Sequence, residues 1–230
     1  MTPRHIATHR RVAGMPGMRT RRSLASFIAI AAAVCGCAPK APPLTGRIAP
    51  ARIPETSLPS LHQQIVFNWV FSDGSYKAKG DGAARVAPPD SVRLDFFVSN
   101  GMGGGFARLV GDSLTVPSQT DSRVRDYLPP VPMIWATLGR FEVPPLPDTV
   151  ARVDGDTLRV EIGQGPRWRA TFAGSSLRRL ELIDGDRIRE RTVRDGDRHV
   201  VYERTDAHRS LNLTVLRVDT VSNFDASIWH

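Results

Sequence analysis

Three short segments in the second half of the chain limit its fold more than any other feature. They are Asp154-Gly155-Asp156, Asp184-Gly185-Asp186 and Asp195-Gly196-Asp197. Glycine tolerates positive φ, so Asp-Gly pairs between alternating segments mark tight hairpin turns. Gly163 to Pro166 and Gly174-Ser175 add two more turns. The segments between them alternate. Leu158, Val160 and Ile162 share one face, as do Trp168, Ala170 and Phe172, and then Leu211, Leu213 and Val215. Arg159, Glu161, Arg167, Arg169, Asn212 and Thr214 fall on the opposite faces. A period of two with one dry and one wet face describes an antiparallel meander.

The first half repeats the pattern. Ile65, Phe67, Trp69 and Phe71 point one way, Ser72 to Ser75 turn the chain, and Tyr76 to Ala87 continue as a strand of small and polar residues. Pro88-Pro89-Asp90 breaks it. Val92, Leu94, Phe96 and Val98 alternate next, and Phe106 to Val110 and Ser113 to Val116 flank the turn at Gly111-Asp112. Residues 121–140 differ: Val124, Leu128, Val131, Ile134, Trp135 and Leu138 recur at helical intervals. Pro129, Pro130 and Pro132 confine the helix to about Pro132–Leu138, with Gly139 ending it. The expectation is a mainly β fold: a curved antiparallel sheet, or unclosed barrel, of about ten to eleven strands with a short helical lid. Its inner face is either a filled core or a cavity for an apolar ligand.

Ahead of this domain, expected at 61–230, lie two segments of other composition. Residues 38–60 hold Pro39, Pro42, Pro43, Pro50, Pro54 and Pro59, and read as an extended tether or plain disorder, outside the core. Residues 1–37 run from Arg19-Thr20-Arg21-Arg22 through the apolar stretch Leu24 to Val34 into Cys35-Gly36-Cys37. A basic start, a short apolar run and small residues at a cleavage point make a secretory signal peptide. Val34-Cys35-Gly36-Cys37 resembles the lipobox of bacterial lipoproteins, which implies lipidation of Cys37. Cys35 fits that pattern less well. An ordinary signal peptide with a chance Cys-x-Cys is the plainer reading; a metal pair would need further ligands. Thr20-Arg21-Arg22-Ser23-Leu24 loosely resembles a twin-arginine export motif, and paired arginines also occur in ordinary basic leaders. Either Met1 or Met18 can be the start.

Composition excludes several functions. The formal charge is +8, but residues 1–37 hold six arginines and no acid. Subtracting these six from 31 basic residues leaves 25 against 23 acidic ones, so the remainder gives no electrostatic reason to bind nucleic acid. Beyond Cys37 there is no thiol for a disulfide, a nucleophile or a metal. His62, His199, His208 and His230 are scattered. The Asp-Gly-Asp turns lack the further acids of a calcium loop. Phe106 stands where a dinucleotide loop over Gly101–Gly105 would need its last glycine. Ser175, Ser176 and Ser210 have no nucleophile-elbow context. No catalytic residue, metal or cofactor is expected, and the chain is not expected to be an enzyme.

The order of parts resembles the LolA/LolB lipoprotein-carrier superfamily, nearer its LolB-like outer-membrane lipoproteins. The resemblance spans about residues 60–230 and rests on several parts. These are the tethered lipoprotein start, the strand pair from Ile65 to Ala87, Val92-Arg93-Leu94-Asp95-Phe96-Phe97 with its Gly loop, and the Pro-flanked helix Pro130 to Leu138. It implies an unclosed barrel with a helical lid over a cavity that takes acyl chains of lipoproteins or other lipids. Trp69, Phe71, Phe96, Met133, Trp135, Leu138 and Trp168 are the expected cavity wall; core packing is the alternative for most aromatics. LolB-like proteins touch the membrane with a leucine between Asn-Pro and Gly. Here Asn100-Gly101-Met102-Gly103 stands in that place, with Met102 as the contact. The resulting expectation is an envelope lipoprotein anchored at the periplasmic face of the outer membrane, with a periplasmic carrier protein as partner. The alternative is a structural or docking lipoprotein with a filled core, presenting Arg187, Arg189, Arg191 and Arg194 to a partner.

Overall fold

A computed structural model describes residues 38–99, 103–117 and 128–229. The strands in chain order are β1 (Arg47–Ala49), β2 (His62–Asp73), β3 (Tyr76–Ala87), β4 (Ser91–Val98), β5 (Gly104–Val110) and β6 (Ser113–Thr115). After helix α1 (Val131–Thr137) come β7 (Val150–Asp154), β8 (Thr157–Ile162), β9 (Arg167–Ala173), β10 (Ser176–Asp184), β11 (Arg187–Asp195), β12 (His199–Arg204) and β13 (Arg209–Val221). They form a single unclosed sheet of thirteen strands in the order β1-β7-β8-β9-β10-β11-β12-β13-β2-β3-β4-β5-β6. Every named strand pair is antiparallel. The count exceeds the expected ten to eleven partly because β1 lies in the proline-rich segment, on β7.

The turns work as the Asp-Gly pattern requires, with one refinement. Asp154, the last residue of β7, pairs with Thr157, the first of β8, so the loop is Gly155-Asp156, with φ +60° at the glycine. Glycine in the first of two loop positions suits the type II′ hairpin. The 184–187 turn is built alike, with Gly185 at φ +59°.

β2 and β13 form the seam between the two halves, paired along their whole lengths from Asp73–Arg209 to His62–Val221. β6 ends the sheet on one side, while β7 lies near the other edge. The connection between them therefore has to cross the sheet, and it carries α1. Pro130 caps the helix, and Pro132 sits in its first turn, where the missing N–H costs nothing. At its end Gly139 (φ +85°) donates to the Ala136 carbonyl, and Arg140 donates to that of Trp135. This pairing is a Schellman stop.

Four consecutive helix residues, Met133 to Ala136, are buried, so α1 is enclosed on several sides. Met133 and Ala136 join one apolar cluster, with Ala151, Val160, Ile162, Ala170, Phe172, Leu177 and Leu180. Ile134 and Trp135 join a second, with Phe67, Trp69, Phe71, Val86, Val92 and Leu109. The helix is a wedge holding two half-cores together. The second half-core depends on bare backbone: a Cβ on Gly82 would fall 2.4 Å from the Phe67 ring, and one on Gly80 would fall 1.8 Å from the Phe97 carbonyl oxygen. Both glycines sit opposite the aromatics of β2, in the pairs Phe67–Gly82 and Trp69–Gly80.

The outer face carries charge in register. Glu161, Arg169, Glu181, Arg191 and Glu203 lie opposite one another across β8 to β12. Opposite charges directly across a sheet stabilise each other. Arg169 donates to Glu161 at 2.6 and 2.9 Å, and Arg191 pairs with Glu203. Burial nevertheless pushes the Glu181 carboxyl above its ordinary value, with Arg179, Arg169 and Arg191 opposing the shift.

Residues 38–60 are extended, and they also contact the domain. Ala41 donates to the Asp186 carbonyl at 2.8 Å, Ile188 donates to that of Pro39 at 2.9 Å, and Arg187 donates to that of Ala38 at 2.8 Å. Leu58 is buried in the second half-core, and Ile53 packs on the first.

Candidate functional site

The concave face is not filled completely. Between α1 and the sheet lies a cavity of about 390 Å³. Its interior is set by strand alternation. β2 contributes Ile65 and Phe67, β4 contributes Leu94 and Phe96, and β13 contributes Leu211, Leu213 and Val215. Ala84 and Val200, both buried, and the exposed Val218 of β13 also line it from the sheet. Ile134, Thr137 and Leu138 cover it from the helix, with Leu128 and Pro129 beside them. The volume lies within the roughly 300–1,000 Å³ of small-molecule sites, and the lining is apolar as such sites require.

The cavity straddles the β2–β13 seam, where the chain's two halves meet. Phe96 is held by two edge-to-face contacts, with Phe67 at 5.7 Å and with Trp69 at 6.0 Å between ring centroids. The lining also includes the polar residues Gln63, Arg194 and Asp197, of which Asp197 is exposed. Arg194 donates to the Thr137 carbonyl in the last turn of α1. Burial pushes its guanidinium below the ordinary value, Asp197 acts against that shift and Arg178 adds to it.

Of the residues expected from sequence, Phe96 and Leu138 line this cavity. Trp69 and Phe71 lie in the second half-core. Trp135 is buried there too, donating from Nε1 to the Gly111 carbonyl at 3.1 Å beneath the Arg140 guanidinium. Met133 is buried in the first half-core, where the Thr192 hydroxyl contacts its sulfur at 3.4 Å. Trp168 is partly buried against the same cluster. Thus Met133 and Trp135 fasten the helix to the two half-cores, and Ile134 between them reaches the cavity. Met102 and Cys37 lie outside the described residues. The lining residues Leu94, Leu211 and Leu213 were visible as inward positions by alternation; Arg194 was not singled out as one.

A second polar recess of about 530 Å³ sits at the start of α1, between Leu128–Val131 and Glu190, Tyr202, Arg204 and Arg209. The Tyr202 hydroxyl donates to Glu190 at 2.9 Å. Burial raises the Glu190 carboxyl above its ordinary value, against that hydrogen bond and Arg204, and the Tyr202 phenol is raised too. Among the described residues no three His, Cys, Asp or Glu side chains are grouped as a metal site would need.

No family model matches the sequence, and no curated protein does. Among solved structures, the chain is similar to a LolA superfamily protein from Nitrosomonas europaea, with 7% identity, a TM-score of 0.49, and coverage of 76% of this chain and 92% of that one. It is similar to an outer membrane lipoprotein-sorting protein domain from Vibrio parahaemolyticus at 7% identity and TM-score 0.47, covering 74% and 90%. A DUF1329 family protein from Desulfovibrio piger gives 10% identity and TM-score 0.41, covering 74% and 90%.

Proposed function

We propose that this chain is a LolB-like envelope lipoprotein, fixed by lipid at Cys37 to the periplasmic face of the outer membrane. In this reading it shelters acyl chains between α1 and the sheet while lipoproteins or other lipids are placed in that membrane. The observation that carries it is the apolar cavity beneath the helix. Each methylene moved from water into such a space contributes about 0.8 kcal/mol. Transfer then needs only graded affinities among a periplasmic carrier, this cavity and the bilayer, and no catalytic residue. The loop with Met102 would touch the membrane.

The docking alternative has less support. Arg189 pairs with Asp184 and Asp206, Arg191 with Glu203, and Arg187 with Asp186, so these arginines have partners within the chain.

The test is titration of the purified full chain with a fluorescent C16 fatty acid. Saturable binding is expected, with about one probe per chain, and Val215→Trp, which fills the cavity, should weaken it at least tenfold. Absence of saturable binding overturns the acyl reading. Mass spectrometry of protein from the envelope should find diacylglycerol on Cys37, and an unmodified cysteine would remove the anchor.

A further inference from the structure

The cavity wall holds a cation where apolar groups alone would shelter a chain. Along β11, residues Ile188, Glu190 and Thr192 are buried on the concave side. Arg194 continues that parity, which separates it from Arg187, Arg189 and Arg191 on the outer face. Those three have carboxylate partners. No carboxylate of the described residues lies within the 4.0 Å of an ion pair with Arg194. Its hydrogen bond is to the Thr137 carbonyl, a neutral acceptor. A guanidinium has five N–H donors, so one carbonyl acceptor leaves donor capacity on a residue that lines the cavity.

The surrounding charges do not settle Arg194's. Asp197 lines the same mouth but is itself exposed to water, and Arg178 acts in the opposite sense. A half-buried cation lacking a close counter-ion gains most from an anion brought to it.

We infer that the cavity's ligand is a single-chain amphiphile with an anionic head, its tail between α1 and the sheet and its head on Arg194. This rests on the acyl-binding reading above and narrows its ligand. A volume of about 390 Å³ is near the lower end for ligand sites, which suits one chain. A carboxylate and a phosphate monoester share the required chemistry, since both accept charge-assisted hydrogen bonds from arginine. A neutral head would gain the same apolar burial and leave the guanidinium as it is.

Displacement of the fluorescent C16 probe from the full chain separates these cases. Hexadecanoate and hexadecyl phosphate should each compete at least tenfold better than hexadecanol, a difference of about 1.4 kcal/mol. The better of the two identifies the head. Arg194→Gln should weaken the anions about tenfold and leave hexadecanol unchanged, while Arg194→Lys should restore part of the preference. Equal competition by all three overturns this inference and leaves the acyl reading standing. An equal loss for all three in Arg194→Gln also overturns it, because the arginine would then serve only to hold α1. If no chain displaces the probe, or the probe does not bind, both readings fall.

Discussion

Glu190 occupies a position where a charged carboxylate is disfavoured. It is buried beside Tyr202, and its raised pKa means that the folded state keeps the proton longer than the unfolded chain does. Stability therefore falls as pH rises from the ordinary 4.5 towards the folded value, and the penalty is absent below 4.5. In Glu190→Gln the amide oxygen still accepts the Tyr202 hydrogen bond while the charge is gone. Thermal melts should show the variant gaining on the wild type between pH 4 and pH 7.5. A constant difference across that range would sink the argument. Little of this was legible beforehand. Strand alternation puts Glu190 and Arg194 on the inner side with Ile188 and Thr192, but a run of arginines invites the view that all share one solvated face. The same parity rule worked well for Phe96, Leu94 and Val92, where the inward residues are apolar and nothing competes with the pattern.

At the level of elements, α1 decides whether the sheet has one interior or two. Its seven residues are too few to be stable alone, so its helicity follows from packing at both ends of the concavity. Trp135 joins Ile134 in the second half-core and also bonds to the β5–β6 turn. Trp135→Ala should cost about 3–5 kcal/mol, as for a fully buried large aromatic, read as a lower urea midpoint. A loss below about 1 kcal/mol would show that the helix is a loose cover and not a wedge. The helix and its glycine stop were readable from the prolines, the 3.6-residue spacing and Gly139. Its depth was not, because a lid and a plug have the same apolar pattern. Core residue and cavity wall were equally indistinguishable for Trp69, Phe71 and Trp168. Pleat direction tells which face a side chain takes, while the space left on that face depends on long-range pairing such as β2 with β13.

For the whole molecule, the meander was legible because its hairpins are local and most are announced by glycine; the β3–β4 turn at Pro88-Pro89-Asp90 and the β12–β13 turn at Thr205 to His208 are the exceptions. The seam was not, because β2 and β13 are far apart in sequence and no local signal names a partner. The proline-rich segment is the other surprise of scale. Its composition suggests a free spacer, yet its backbone groups at Ala38, Pro39 and Ala41 are hydrogen-bonded to the β10–β11 hairpin. Arg187→Ser should loosen this fastening. Hydrogen–deuterium exchange at Ala41 and Ile188 should then accelerate, with β2 and β13 unchanged; equal protection in both proteins would mean that Arg187 contributes nothing. The consequence is one of reach. Whatever grips the chain just ahead of Ala38 grips a segment that is hydrogen-bonded to the β10–β11 hairpin, so these bonds shorten the leash on which the domain could swing. A bilayer hold there would fix the tilt of the entire sheet, and with it the direction in which the mouth beside Asp197 looks.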